Sequence, residues 1–418
     1  MKRRDWLRSA AMLLAGDIAL LGLPRALSAR EEFPDGPDDD YSPMPPSAPR
    51  LKPHASLVGG RHRVHALALS ADGARIAVSE QQSRVFKVWD AVNGREQVTS
   101  GTYPGEIHAL AFDPIGKSIA STVSNGYIML GVGDKGDPPS IRISDVATAQ
   151  KTRDLLGLEG YAKGLALTRS GLAVALDTHE VLRAWKISDG ADVYSLNGPV
   201  NRIHGGGFEA VQSGFGVSDD GRRAASLSTD ARRSTDAAVE GEIHPEHTVN
   251  LWDAKLGTCR VLNAKAGPLR AVALSPDGSR VVVATTDQQI MAFDFVTEKR
   301  VFAFYAGYQM VGGIGPYYLA FSPDGDRFVI GKKDGVLRMY DSDEGRHLDT
   351  IRGPRTFIRA VAFLPDRLRV VSGGYNEAGS EKLKNGAVIM NYDPLWVWDA
   401  MYRGSPGRYE SSFRRPHN

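Results

Sequence analysis

Histidine pairs are the residues of this sequence best suited to metal chemistry. The candidates are His62 with His65, His244 with His247, and the single residues His108 and His204. Imidazole nitrogens bind copper and zinc, so these residues would suit a small metal site. Neither pair lies in a predicted helix, no cysteine joins them, and the two pairs are far apart in the chain. We therefore expect surface histidines and no bound metal.

A glycine-rich segment raises the question of nucleotide binding. Residues 131–136, Gly-Val-Gly-Asp-Lys-Gly, fit the pattern G-x-G-x-x-G. That pattern holds a pyrophosphate when a helix follows it, whereas Asp137-Pro138-Pro139 follow here, which predicts a loop. No Gly-x-Ser-x-Gly motif and no phosphate loop with a lysine occur either. The sequence thus predicts no catalytic residue and no cofactor.

The composition is that of a globular protein with balanced charge. Of 418 residues, 42% are hydrophobic and 24% are charged. The 51 basic residues nearly equal the 49 acidic ones, which argues against nucleic acid as the main partner. One cysteine, Cys259, excludes an intrachain disulfide, a zinc ribbon and an iron–sulfur cluster.

The N-terminus predicts export. A basic start with Arg3-Arg4 precedes an apolar stretch over residues 10–23 and small residues near Ala29. The arginine pair with Trp6-Leu7 behind it resembles the twin-arginine signal of bacterial Tat export. We expect a signal peptide over 1–29 and a periplasmic or otherwise exported protein, with no later membrane span. The alternative is an amphipathic helix that stays attached.

The remaining chain divides into a linker, a repeat region and a tail. Residues 30–53 are rich in Pro and Asp, which predicts an extended, solvated linker. Residues 54–402 contain a pattern that recurs seven times, and residues 403–418 form a C-terminal tail. Each copy has an apolar strand, a tight turn such as Pro276-Asp-Gly278, a second strand, and a third strand that ends near an aromatic–Asp pair.

The third strands carry the most specific signature. Phe86-Lys-Val-Trp-Asp90 and Val249-Asn-Leu-Trp-Asp253 are its clearest examples. The second copy of the repeat departs from it, with Ser144 in place of the aromatic residue. Over residues of about 55–400 the chain resembles the WD40-repeat family, in a divergent bacterial form. The resemblance implies an all-β, seven-bladed β-propeller with four-stranded antiparallel blades. It also implies that the aromatics fill the gaps between blades; they are Trp89, Trp185, Trp252, Phe293, Tyr340 and Trp398.

Closure of the ring follows from the same resemblance. A strand within His54–Gly60 is expected to complete the last blade, which would remove an exposed edge. First strands line the central channel of such a fold. Their opening residues are His65, His108, Lys163, Ser213, Arg270, Tyr317 and Arg359. Five of these seven are basic or can be protonated, so a ring of positive charge is expected at the channel mouth.

Long loops predict which face binds a partner. The insertions 124–140, 229–247 and 373–393 and the links 197–213 and 305–316 all fall on one face, the same face as the channel mouth. We therefore predict a partner-binding site at the mouth, composed of His65, His108, Lys163, Arg270, Tyr317 and Arg359. The alternatives are neutral loop growth, and a ring whose charge is paired with loop carboxylates such as Asp287 and Asp334.

Two functions remain open on the sequence alone. The favoured one is an exported, non-catalytic scaffold that binds a protein or peptide, which an acidic segment would suit, as a monomer or within a complex. The alternative is a periplasmic propeller enzyme of the oxidoreductase or lactonase type. Its metal or cofactor would lie at the channel mouth, near His65, His108 and His204.

Overall fold

The computed structural model describes most of residues 55–399. The longer gaps are 58–63, 124–139, 199–213, 229–247, 307–317, 353–356, 364–368, 376–380, 383–387 and 390–394, and shorter gaps span one to three residues. The predicted signal (1–29), linker (30–53) and tail (403–418) lie outside the described residues, as do most residues of the five predicted long loops. All described residues belong to one compact unit, Asp35–Asn418.

The described chain consists of short antiparallel strands. Blade 1 consists of β2 (Val64–Leu69), β3 (Arg75–Glu80), β4 (Phe86–Asp90) and β5 (Glu96–Thr99). Blade 2 consists of β6 (Leu110–Phe112), β7 (Ser118–Val123), β8 (Ser140–Asp145) and β9 (Lys151–Leu155). Blade 3 consists of β10 (Ala162–Leu167), β11 (Leu172–Asp177), β12 (Val181–Lys186) and β13 (Asp192–Asn197). In each blade, the four strands pair in chain order.

Three more blades repeat this plan. Blade 4 consists of β14 (Phe215–Val217), β15 (Arg223–Ser228), β16 (Thr248–Asp253) and β17 (Thr258–Asn263). Blade 5 consists of β18 (Leu269–Leu274), β19 (Arg280–Thr285), β20 (Gln289–Asp294) and β21 (Arg300–Tyr305). Blade 6 consists of β22 (Tyr318–Phe321), β23 (Arg327–Gly331), β24 (Val336–Asp341) and β25 (His347–Arg352). Second strands such as β19 are almost continuously buried, because each blade packs against a neighbour on both faces.

A further four-stranded sheet is assembled from both ends of the chain. Its strands pair in the order β1 (Ala55–Leu57), β30 (Leu395–Asp399), β27 (Arg369–Tyr375) and β26 (Phe357–Phe363). β28 (Glu381–Lys382) and β29 (Val388–Ile389) form a separate two-stranded ribbon. We call the four-stranded one the composite sheet.

The sequence prediction is confirmed for the all-β propeller class and for four-stranded antiparallel blades, and it is corrected in the blade count. Within the described residues, six blades, not seven, are built from four consecutive strands. The composite sheet differs because its edge strand, β1, comes from the opposite end of the chain. First strands contact one another in sequence from β2 to β26, and β26 also contacts β2.

Short turns join first strands to second strands and fix the register. In the turn after β2, the Ser70 hydroxyl donates to the Asp72 carboxylate at 2.5 Å, and Gly73 has a φ of 68°. Only glycine adopts that left-handed conformation without strain. The same Ser–Asp hydrogen bond recurs in three later turns, at Ser218–Asp220, Ser275–Asp277 and Ser322–Asp324. The Ser70 hydrogen bond lowers the pKa of Asp72, so this turn stays charged in mildly acidic solution.

Aromatic side chains at the ends of third strands fill the spaces between blades. Trp252 of blade 4 is fully buried against Val174, Leu176 and Leu182 of blade 3. Trp185 likewise packs against blade 2, Phe293 against blade 4, Tyr340 against blade 5, and Trp89 against the composite sheet. Trp398 lies in β30.

Blade 2 fills the same space differently because it has Ser144 in place of the aromatic. Tyr103, from the link before β6, packs edge-on against Phe86, and its hydroxyl shares a hydrogen bond of 2.7 Å with Ser121. The Arg142 guanidinium lies 4.7 Å from the Tyr103 ring centroid. A side chain from a neighbouring link thus replaces the missing aromatic.

Ser144→Ala is expected to raise the free energy of unfolding by about 1 kcal/mol, since a buried hydroxyl without a partner costs stability. The Ser144 Oγ atom is buried and has no hydrogen-bond partner among the described residues. Urea denaturation measures the change. The matched control is Ser226→Ala, because the Ser226 hydroxyl accepts from Trp252 Nε1 at 3.1 Å and its removal should be destabilising. An equal loss of unfolding free energy in both variants would contradict the absence of a hydrogen-bond partner for the Ser144 hydroxyl.

Candidate functional site

β-Bulges mark the predicted channel-mouth residues of four first strands. The extra residue of the bulge is His65 in β2, Lys163 in β10, Arg270 in β18 and Arg359 in β26. A bulge leaves one residue unpaired and redirects its side chain away from the sheet. The structure therefore places these four residues at the same register position, near the start of their strands.

The other two predicted mouth residues are placed differently or not described. His108 precedes β6 rather than opening it, and its backbone N–H donates to Thr122 Oγ1 at 2.9 Å. Tyr317 lies outside the described residues, one position before β22. The carboxylates Asp287 and Asp334, proposed as charge partners for the ring, also lie outside the described residues.

Lys163 is paired with a carboxylate of its own blade. Its Nζ atom forms an ion pair and hydrogen bond with Glu180 Oε1, in the turn between β11 and β12. Both side chains are largely buried, with 15% of Lys163 and 8% of Glu180 exposed. The contact shows that Lys163 lies at the same end of the blade as the second-to-third turn. It also shows that Glu180 neutralises the charge of Lys163.

Asn250 connects this ion pair to the next blade. Its Nδ2 atom donates to Glu180 Oε2 at 3.3 Å, so each oxygen of the carboxylate has its own partner. Asn250 is fully buried in β16, and its Oδ1 atom has no partner among the described residues. A buried polar network with one unused acceptor is costly in a stable core. This network joins blades 3 and 4 at the end of blade 3 that carries its second-to-third turn.

Backbone contacts hold Glu180 in position. Glu180 has a φ of 59°, a left-handed conformation that is unusual for a residue with a side chain. Its carbonyl oxygen accepts from the Gly198 N–H at 2.8 Å. A Cβ at Gly198 would lie 2.6 Å from the Trp252 ring and 3.0 Å from that carbonyl oxygen. Glycine is therefore required where the link leaves blade 3.

The Asp177 carboxylate holds the same turn in place by accepting hydrogen bonds from its backbone. This fully buried carboxylate accepts four backbone N–H groups. Two come from the turn itself, His179 at 2.9 Å and Val181 at 2.9 Å, and two come from the preceding link, Glu159 at 3.1 Å and Gly160 at 3.2 Å. The carboxylate thus fixes the position of the Glu180 turn relative to the link that leads to Lys163.

Cys259 lies close to this network on the outer strand of blade 4. Burial, together with a smaller effect of the negative charge of Glu180, raises the pKa of its thiol to about 12. A thiol with so high a pKa is a poor nucleophile at neutral pH, since the thiolate is the reactive species. Cys259 therefore contributes packing rather than chemistry.

Sequence reasoning missed Glu180, Asn250 and Asp177. A signal for Asn250 was present in the repeats. Two residues before the aromatic position, four of the other six third strands carry a basic residue; these are Lys87, Arg142, Arg183 and Arg338. Blade 4 has the neutral Asn250 at this position, where it faces a carboxylate that Lys163 already neutralises.

Lys163→Met is expected to lower the free energy of unfolding by about 2 kcal/mol, because it leaves the Glu180 carboxylate buried with one partner. The double variant Lys163→Met/Glu180→Gln should recover most of this loss, since it leaves no uncompensated charge. Urea denaturation of both variants measures the difference. A single variant as stable as the parent, or a double variant less stable than the single, would contradict the buried ion pair.

Among the described residues, no group of three or more His, Cys, Asp or Glu side chains is arranged to hold a metal ion. The histidines His62, His204, His244 and His247 lie outside the described residues. No helix in the described part of the chain is long and apolar enough to span a membrane.

Comparison with known proteins identifies one repeat type. Residues 313–341 match the family described as WD domain, G-beta repeat, and this segment includes β22 to β24. The chain is 23% identical over 299 residues to a serine-threonine kinase receptor-associated protein of Gallus gallus. The aligned region covers 70% of this chain and 70% of the relative. WD40 domains are in general protein-interaction modules. The chain thus combines a WD40 repeat with an all-β propeller.

Proposed function

We propose that this protein is an exported, non-catalytic scaffold that binds a protein or peptide at the channel mouth. One observation carries the proposal: four first strands bulge at the same register position, and the residue at each bulge is basic or can be protonated. Bulges of this kind are over-represented beside functional sites because they redirect a side chain. Repetition around the ring would place four such groups about one opening.

The comparisons support the class of function. The relative from Gallus gallus is named for its association with a serine-threonine kinase receptor. A scaffold of similar architecture would hold its partner through surface complementarity, through an interface of about 1,600 Å². We propose the same kind of role here, with a different partner.

The expected partner surface is acidic. Arg270, Arg359 and, when protonated, His65 are the cationic residues at the other three bulges, and together they would attract an anionic segment. Charges at a concave mouth focus the electrostatic potential and speed the association of an oppositely charged partner. Binding should accordingly weaken as the salt concentration rises.

The composite sheet would close the ring in this proposal. β26 contacts β22 and β23 of blade 6 on one side and β2 of blade 1 on the other. Pairing of β1 with β30 would join the two ends of the chain and remove an exposed edge. A ring closed in this way would keep the mouth residues in a fixed arrangement before the partner binds.

Export is part of the proposal, because the Arg3-Arg4 signal with its apolar stretch favours it. Native mass spectrometry of protein isolated gently from its own cell envelope tests location and function together. We expect the mass of the chain cleaved near Ala29, with a protein partner bound. An added metal or organic cofactor mass would instead favour the propeller enzyme and overturn the scaffold. A full-length mass confined to the cytoplasm would overturn export.

A further inference from the structure

The outer strands of the blades differ in how well they could pair with another chain. The last strand of each sheet exposes backbone N–H and C=O groups, which can pair with an added strand. In five of the six described blades, a bulge interrupts the pairing of this strand with the third strand. The extra residues are Gln97, Thr152, Val193, Val301 and Leu348. Such bulges twist an edge and discourage strand addition.

β17 of blade 4 is the exception among these six blades. It pairs with β16 over six consecutive residues, from Thr258 opposite Asp253 to Asn263 opposite Thr248, with no bulge. β17 is the last strand of its sheet, and within the described residues it pairs only with β16. Alternate residues of a regular edge strand direct both backbone groups outward, so β17 presents a regular template.

An ion pair and two hydrogen bonds hold this edge strand in place. Arg260 at its centre donates to the carbonyl oxygens of Phe295 at 2.8 Å and Val296 at 3.2 Å, and it pairs with Glu298 at 2.5 Å. These contacts attach β17 to blade 5 and use the charge of Arg260. A template held in this way loses little conformational entropy when another strand adds to it.

The charge and apolar surface of β17 indicate the partner's chemistry. Residues 254–267 contain Lys255, Arg260 and Lys265 and no carboxylate. Lys255 and Lys265 are both exposed, and they flank the two ends of β17. Val261, near the middle of the strand, is 47% exposed. An extended segment with an apolar centre and acidic ends would match this arrangement along its whole length.

We propose that β17 is a second docking surface, on the rim of the propeller, and that it binds an extended acidic peptide by strand addition. Main-chain hydrogen bonds would supply the affinity, and contacts with Val261, Lys255 and Lys265 would supply the preference for an apolar centre and acidic ends. This surface is independent of the channel mouth, and it goes beyond the proposed scaffold site.

Binding of a defined peptide tests the proposal. The probe is a fluorescent peptide, Glu-Asp-Thr-Val-Thr-Val-Asp-Glu, and fluorescence anisotropy gives its Kd on the full chain. We expect a Kd of about 10⁻⁴ M, and a loss of about tenfold or more for Val261→Asp. The matched control is Val301→Asp on the bulged strand β21, where the valine is 43% exposed, and it should leave the Kd unchanged. Thermal denaturation checks that both variants are folded.

Peptides with blocked backbone groups separate strand addition from simple charge attraction. Of two probes that are N-methylated on alternate residues, one should lose binding and the other should keep it, because only one set of N–H groups faces β17. The proposal is overturned if the parent peptide fails to bind at about 1 mM, if both methylated probes bind equally, or if Val301→Asp weakens binding as much as Val261→Asp. Self-association that Val261→Asp abolishes would also overturn it, in favour of a second copy of the chain.

Discussion

Asp177→Ala is expected to lower the free energy of unfolding by about 3–5 kcal/mol, because it removes a buried charged acceptor of several hydrogen bonds. The Asp177 carboxylate accepts four backbone N–H groups, from Glu159, Gly160, His179 and Val181. The side chain is fully buried, so water does not replace the lost acceptor without rearrangement of the turn. Urea denaturation followed by tryptophan fluorescence measures the loss.

The control for this prediction lies in the same blade. Asp189→Ala removes an exposed carboxylate that accepts one backbone N–H, from Ala191 at 2.9 Å. That variant should lose about 0.5 kcal/mol, as is typical of an exposed turn. Similar losses for the two variants would show that Asp177 does not organise the link and the turn.

Trp252→Ala is expected to lower the free energy of unfolding by about 3–5 kcal/mol, as for other fully buried large aromatics. The ring fills the space between blades 3 and 4, and its Nε1 atom donates to Ser226 Oγ at 3.1 Å. Truncation would leave a cavity bordered by Leu176 and Leu182 and an unpaired hydroxyl. Equilibrium denaturation measures the loss.

Trp252→Phe separates the two contributions. It keeps most of the ring volume and removes the hydrogen bond, so a loss of about 1–2 kcal/mol is expected. If Trp252→Phe cost as much as Trp252→Ala, the hydrogen bond rather than the packing would hold the two blades together. If neither variant lost stability, the aromatic would not fill the space between blades, contrary to the structure.

The repeats predicted the fold because most copies contain the same type of turn and an aromatic residue at the same position. Turns such as Pro276-Asp-Gly278 and aromatics such as Trp252 recur at fixed spacing, and each has a local cause in turn geometry or burial. The blade count differs because the composite sheet takes its edge strand from the other end of the chain. That strand was expected within His54–Gly60 from the family resemblance, not from a local pattern. Whether β1 pairs with β30 depends on the meeting of residues more than 330 positions apart, such as Ala55 and Val397.

The candidate site was predicted less completely than the fold. The spacing of the repeats located Lys163 and Arg270, since opening residues of first strands occupy equivalent places. It did not predict that Glu180 would neutralise Lys163, because that pairing depends on a turn with a left-handed residue. Nor did it predict the bulges, because an extra residue in a ladder becomes visible only when both strands are paired.

The central claim is that a partner binds at the channel mouth, and one pair of double variants tests it most directly. Arg270→Ala/Arg359→Ala removes two mouth charges, whereas Lys117→Ala/Arg222→Ala removes two exposed charges from turns at the opposite end of the blades. The affinity of both for the partner found by native mass spectrometry can be measured by calorimetry. We predict a loss of about tenfold or more for the first double variant and none for the second. Unchanged affinity in the first, or an equal loss in the second, would contradict the account.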